Sequence, residues 1–192
     1  MNKKVRNQTE QVLSNNWYTL KKVNFEYQLE NGSWQSQSRE VYDRGNGAAV
    51  LLYNKTQNSI ILTRQFRMPT YVNGNSNGMM IEVCAGLLDG DSPEKSIKKE
   101  ILEETGYHIE TITKVFEAYM SPGAVTEILH FFIAEYDAAM KKDAGGGNPN
   151  ETEYIETIEI PFETACDMIA TGDIKDAKTI MLLQYAKINN LL

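Results

Sequence analysis

The sequence predicts an α/β (α+β) protein: a mixed β-sheet sandwiched between helices, with an N-terminal antiparallel β region. Three observations carry that expectation. Apolar and polar residues alternate at strand period from Trp17 to Tyr42, and strand-like blocks recur through the middle of the chain. One helix with clear start and stop signals interrupts those blocks between Ser92 and Gly106. Two further helical stretches follow the last strand, and this order suits a sheet held between helical layers.

Taken in order, residues 4–15 are polar and predict a short, weakly amphipathic helix ending near Asn15-Asn16. Tyr18-Thr19-Leu20 and Val23 to Tyr27 then alternate, and Asn31-Gly32-Ser33 turns the chain into Trp34 to Val41. Such a two- or three-stranded ribbon is marginal alone and needs a partner surface, on its own domain or on a second subunit. Strands are expected at Ala48–Tyr53 and Ser59–Phe66, around the polar turn Asn54 to Asn58. A Gly/Asn loop from Tyr71 to Gly78 leads to another strand, Met79–Cys84. Beyond the central helix, strands are expected at Glu110–Tyr119 and Ile128–Tyr136. A flexible loop over 137–152 contains Gly145-Gly146-Gly147, whose freedom suits a hinge. A strand at Tyr154–Ile160, a helix from Pro161 through Ile169 and a helix over Ala177–Asn189 complete the chain. The division is 1–42 for the N-terminal β region and 43–192 for the main domain.

Composition narrows the function. At 42% hydrophobic and 23% charged, the 192 residues describe one globular domain with a small appended element. A net charge of −7 argues against nonspecific binding to nucleic acid or to an anionic membrane. No apolar run approaches the length of a membrane span. Cys84 and Cys166 are the two cysteines, and with no signal peptide they indicate reduced thiols in the cytoplasm.

The chemistry concentrates between Ala85 and Tyr107. Ala85-Gly86 reads as a glycine turn, and Ser92-Pro93 is an N-cap followed by proline at the first helical position. The helix carries Glu100, Glu103 and Glu104 in its last turns and stops at Gly106. At helical spacing the three carboxylates fall within an arc of about 100°. There they oppose the helix dipole and repel one another, which a helix built for stability would avoid. Hard divalent cations take oxygen ligands of this kind. The plainer alternative is a solvated acidic face paired with Lys98 and Lys99. Elsewhere, Arg39, Arg44, Arg64 and Arg67 are candidates for bidentate phosphate contact, each with a surface ion pair as the commoner explanation. Trp17, Tyr18 and Trp34 offer stacking rings, although strand aromatics more often pack. His108 and His130 are isolated and read as structural. No nucleophilic triad, zinc-ligand cluster or P-loop is present.

This stretch resembles the Nudix box, Gly-x5-Glu-x7-R-E-U-x-E-E-x-G-U with U bulky and apolar. Gly86, Glu100, Ile101, Glu103, Glu104, Gly106 and Tyr107 match. The span is one residue short, Lys99 stands for the arginine, and the first glutamate position falls at Asp91 or Ser92. Longer segments extend the likeness: SREVYDRGNGAAVLLYN, RQFRMPTYVNGN, CAGLLD, YMSPGAVTEILHFFIAEY and DAGGG. Together these are similar to the GDP-mannose pyrophosphatases of the ADP-ribose pyrophosphatase branch. The resemblance implies a Nudix fold and a homodimer with an exchanged N-terminal β region. It implies hydrolysis of GDP-mannose to GMP and mannose 1-phosphate with Mg²⁺, or Mn²⁺ in its place. Metal ligands would be the Ala85 carbonyl, Glu100, Glu104 and Glu153, with Glu103 in or beside that set. Glu153 would be the catalytic loop glutamate, with Glu151 as its rival, acting with Glu100 and Glu104. Substrate contacts would come from Trp17, Arg39, Glu40, Arg67, Ala85, Gly86, Leu87, Glu127, Thr152, Glu153 and Lys178. Two alternatives remain: another nucleoside diphosphate sugar such as ADP-ribose, or a non-catalytic dimer that binds a nucleotide sugar.

Overall fold

The computed structural model describes residues 4–148 and 152–192. It contains two compact units: the chain up to Asn46 with Tyr119–Ile128, and Gly47–Ala118 with Leu129–Leu192.

The first unit is a three-stranded antiparallel sheet, β1 (Val5–Asn15), β2 (Thr19–Gln28) and β3 (Trp34–Asp43), in that order. The helix expected over residues 4–15 is instead strand β1. A polar run without an apolar stripe has little to fold a helix against. The edge of β2 offers it backbone partners, from Val5 opposite Tyr27 to Asn15 opposite Thr19. Register breaks after Arg6 and after Val12 accommodate its irregular pattern. Ion pairs Arg6–Glu26 (2.8 Å) and Lys21–Glu10 (3.3 Å) cross the β1–β2 pair. β2 and β3 pair without a break from Thr19 opposite Asp43 to Gln28 opposite Trp34. The turn between them forms where expected, with the Asn31 side chain accepting from Ser33 N. The distant segment Tyr119–Ile128 joins this unit through the backbone. Tyr42 N donates to the Ala124 carbonyl (2.7 Å), and Thr126 N donates to the Tyr42 carbonyl (3.1 Å).

The second unit is built on strand β4 (Gly47–Asn54), every residue of which is buried. Around it run β5 (Ser59–Phe66), β6 (Met79–Glu82), β7 (Cys84–Leu87), β8 (Thr113–Tyr119), β9 (Ile128–Glu135) and β10 (Glu156–Pro161). The main path of this seven-stranded sheet is β10-β5-β4-β9-β8, with β6 also on β5 and β7 also on β4. β4 runs parallel to β9 and antiparallel to β5 and β7, which makes the sheet mixed. Four α-helices occur among the described residues: α1 (Met68–Val72), α2 (Pro93–Glu100), α3 (Phe162–Thr171) and α4 (Ala177–Ile188). Ala48, Val50 and Leu52 of β4 meet Ile97 and Ile101 from the α2 segment in one buried cluster with Phe132 and Ala134. The alternate residues Ala49 and Leu51 serve the other face, and α4 also packs on β4.

The stretch Met79–Cys84, read as one strand, is two. At Val83 the chain changes partner: its N–H donates to the Thr179 hydroxyl (2.8 Å). β6 therefore pairs with β5 and β7 with β4. As a result Ala85-Gly86 is not a turn but extended strand, opposite Ala49 and Ala48. No helix among the described residues is long and apolar enough to cross a membrane.

Ile97 is fully buried beneath the sheet. Ile97→Ala is expected to lower stability by about 2–5 kcal/mol. In urea unfolding this is read as a lower midpoint with an unchanged slope.

Candidate active site

The helix leading to the acidic cluster begins as its sequence dictates. The Ser92 side chain accepts from Lys95 N (3.3 Å), and Pro93 takes the first helical position. It does not continue as one regular α-helix to Gly106. After Glu100 it widens into a π turn over Ile101–Thr105 and ends at Gly106, whose φ of +76° is left-handed. The widening has identifiable partners. The Thr105 hydroxyl donates back to the Ile101 carbonyl (2.6 Å). The Glu103 carbonyl accepts from Gly147 N (3.0 Å), and the Glu104 carbonyl from Gly146 N (2.9 Å) and the Thr157 hydroxyl (3.1 Å).

Gly145-Gly146-Gly147, expected as a hinge, is therefore a strap across the end of the helix. All three glycines have positive φ, and a Cβ on Gly145 would lie 2.5 Å from the Glu104 carbonyl oxygen. Glycine is needed here for close approach, not for movement.

The strap and the π turn hold Glu104 inward, 2% exposed. Its carboxylate accepts from Ala85 N (3.3 Å) and shares a hydrogen bond with the Cys84 thiol. Glu100 lies over Gly86, where any Cβ would collide with its carboxyl group. Gly86 thus serves the site by lacking a side chain. Burial, and then the charges of Glu100 and Glu153, push Glu104 up to about 8. Glu153 is half-buried, with its backbone N–H on the Asn148 carbonyl (3.3 Å). Glu151 lies outside the described residues. Glu103 is placed differently: its carboxylate is 3.8 Å from the Lys99 ammonium.

The structure thus groups Glu100, Glu104, Glu153 and Ala85, while Glu103 is held by Lys99. Among the described residues no three acidic, His or Cys side chains converge as a ready-made metal cage. Like charges packed in low dielectric resist such convergence. The donor chemistry nonetheless fits a hard divalent cation, since the set is carboxylate and carbonyl oxygen. Burial and the adjacent Glu104 hold the Cys84 thiol well above its ordinary range, so it stays protonated and supplies no soft ligand.

Beside this group sits a second one, close enough that Glu104 acts on Arg67. Arg67 donates to both oxygens of Glu82, through Nε (2.7 Å) and Nη2 (3.1 Å). Lys178 contacts the same carboxylate and also Asp176 (2.9 Å). Burial raises the Glu82 pKa, but the Lys178 charge and the Arg67 hydrogen bonds outweigh it and hold the group at about 2. Burial lowers Arg67, yet Glu82, Glu104 and Asp176 raise it on balance. Arg67 and Lys178 were expected here; Glu82 and Asp176 were not. The available signal was an acidic residue inside the apolar run Met79–Cys84, which a buried site tolerates only when partnered.

The remaining expected residues are spread over both units. Gly86 and Leu87 lie on β7, and Thr152 is exposed with a φ of +57°. Arg64 pairs with Glu156 across β5 and β10 (3.0 Å). In the first unit Glu127 faces Arg44 (3.5 Å). Glu40 is exposed on β3, and the Arg39 guanidinium donates to the Ser38 carbonyl and the Gln37 side chain. Trp17, expected as a strand aromatic, lies in the turn between β1 and β2. It is 81% exposed and edge-on to Tyr18.

Comparison with known proteins bears on this arrangement. Residues 4–42 match the family described as the GDP-mannose pyrophosphatase NudK N-terminal domain, and residues 43–183 match the NUDIX domain. A GDP-mannose pyrophosphatase of Yersinia enterocolitica is 56% identical over 192 residues, covering 100% of both chains. One from Yersinia pestis is 54% identical over 189 residues, 98% of this chain and 94% of its own. One from Salmonella typhimurium is 50% identical over 183 residues, 95% of each.

Two outcomes follow from the site. Gly145→Ala places a side chain at a left-handed position against the Glu104 carbonyl. It is expected to lower stability by about 1–3 kcal/mol and turnover by about tenfold or more, read by urea unfolding and steady-state rates. The second outcome concerns pH. Between pH 4.5 and about 8 folded Glu104 keeps a proton that the unfolded chain has lost. The metal-free protein therefore loses stability as pH rises through that window, by up to roughly 5 kcal/mol above it. Glu104→Gln should flatten that slope in melting curves taken from pH 4.5 to 8.5. Glu82 works in the opposite sense, contributing stability above pH 4.5 that is lost as pH falls toward 2.

Proposed function

The chain belongs to the Nudix family of hydrolases, and from that premise we propose its reaction: hydrolysis of the pyrophosphate bond of GDP-mannose to GMP and mannose 1-phosphate. The observation that carries this reading is the buried Glu104 carboxylate with Glu100 and Glu153 charged beside it. Such a concentration of acidic oxygen suits a cation and a polyanionic substrate together. The similar Yersinia and Salmonella proteins are GDP-mannose pyrophosphatases, and this supplies the substrate.

In this reading Glu100, Glu104, Glu153 and the Ala85 carbonyl would hold Mg²⁺, or Mn²⁺ in its place, with Glu103 beside the set. The ion, when bound, neutralises phosphate oxygens and makes water a better nucleophile. Glu153, on the loop before β10, orients the attacking water and accepts its proton. Arg67 and Lys178 bind non-bridging phosphate oxygens, and Gly86 gives the substrate close access to the β7 backbone. Leu87, Glu127 and Thr152 contact the remainder of the nucleotide sugar.

We assign the N-terminal region, 1–42, to a homodimer in which Trp17, Arg39 and Glu40 complete the substrate site. Support comes from β1, exposed along nearly its whole length with Val12 and Leu13 uncovered, and from the solvent-facing indole of Trp17. A ribbon of this kind gains stability from a second surface. Free thiols at Cys84 and Cys166 are consistent with a cytoplasmic enzyme.

The test is incubation of the protein with GDP-mannose and Mg²⁺ in H₂¹⁸O, with products identified by mass spectrometry. GMP and mannose 1-phosphate are expected, with the label on one of them. Cleavage of ADP-ribose in place of GDP-mannose would move the substrate assignment, and inertness toward every nucleotide sugar would overturn the reaction. Glu104→Gln is expected to keep the fold and lose about a hundredfold or more in turnover. Because burial raises the Glu104 pKa to about 8, Mg²⁺ binding at pH 7 should release more protons from the wild type than from this variant. Calorimetry in buffers of different ionisation enthalpy reads that difference.

A further inference from the structure

We propose that Glu82 is a positioning residue for substrate binding, locking Arg67 and Lys178 into one fixed pair of cations for the substrate's phosphates. The inference rests on the reaction proposed above and adds a residue to it.

The geometry is specific. Glu82 ends β6, opposite Thr63 of β5, and is 4% exposed. The Thr63 hydroxyl donates to its carbonyl (3.2 Å), so its backbone is fixed as well as its side chain. Arg67 takes both of its oxygens and Lys178 shares Oε2, so one carboxylate joins two cations from separate parts of the chain. Arg67 stands at the start of α1 and Lys178 in the first turn of α4. Each cation is anchored by its own element. The Arg67 carbonyl accepts from the Thr70 hydroxyl (2.9 Å). The start of α4 is tied to the β6–β7 junction by the bond from Val83 N to Thr179, and Asp176 caps the helix on Thr179 N (3.0 Å).

A carboxylate placed only to satisfy a buried cation needs one partner. Glu82 has two, and both are the cations that best suit phosphate in this unit. Arg67 is gripped along one edge, Nε and Nη2, while its side chain stays 39% exposed. Lys178 is held between Glu82 and Asp176 with 14% of its side chain exposed. Two cations and two carboxylates sum to zero charge, so the group rests in the protein interior without a ligand. Long, flexible side chains are thereby ordered before substrate arrives, which removes part of the entropic penalty of binding. Glu82 touches no reacting atom, so its effect falls on binding common to ground and transition states, on KM more than on kcat.

The experiment measures kcat and KM for GDP-mannose, and the melting temperature, in the wild type, Glu82→Gln, Glu82→Asp, Arg67→Ala and the Glu82→Gln/Arg67→Ala double variant. Glu82→Gln keeps the shape and removes the charge. Its KM is expected to rise about tenfold or more with kcat within about threefold, and to rise little further in the Arg67→Ala background. Glu82→Asp keeps the charge but draws the carboxylate back by one methylene. It should raise KM with a melting temperature near the wild type, which preserves the test if Glu82→Gln does not fold. An active wild type with unchanged KM in the Glu82 variants, or equal KM increments with and without Arg67, overturns the inference and leaves the reaction standing. A wild type inert toward every nucleotide sugar overturns both.

Discussion

A carboxylate withdrawn from water must be hydrogen-bonded, protonated or matched by charge, and Glu104 imposes that condition on the whole acidic site. Its burial requires the helix end to turn inward, and the π turn over Ile101–Thr105 does so. Carbonyls displaced by that turn need donors, which Gly146, Gly147 and Thr157 provide. The donors can approach only because the strap has no side chains. Across the site, Gly86 makes the same concession to Glu100. Glycines on two sides of the helix therefore make room for two neighbouring glutamates, Glu104 and Glu100.

This ordering explains which parts of the site were legible in the sequence. Glu100 and Glu104 are a local pattern on one helix, and Ser92, Pro93 and Gly106 mark its ends by short-range rules. Strands such as Ser59–Phe66 are visible because alternation or an apolar run is a local signal. Features that depend on distant partners leave no local signal. β1 is a strand because β2 offers it an edge. The Met79–Leu87 stretch divides because Thr179 captures the Val83 N–H. The glycine run is a strap because the end of the helix is there to receive it. Glu82 shows the limit most plainly: its partners lie 15 and 96 residues away.

Charge is managed differently in the two units. In the second, Arg67 and Lys178 sit in a neutral quartet with Glu82 and Asp176, while the charges of Glu100 and Glu153 raise the pKa of the buried Glu104. The first keeps its cations at the surface, where pairs such as Arg6–Glu26 are solvated and each adds little to stability.

Tyr119–Ile128 belongs to the same compact unit as the N-terminal ribbon although the rest of a sheet separates them in sequence. During synthesis the ribbon's strands emerge first, yet Tyr42 waits for Ala124 and Thr126 to leave the ribosome before its backbone is paired with them. Closing so long a loop is slow relative to forming a hairpin. The nascent ribbon therefore stays unpaired at Tyr42 until after the acidic helix has been synthesised, and chaperone contact during that interval would fall on the ribbon.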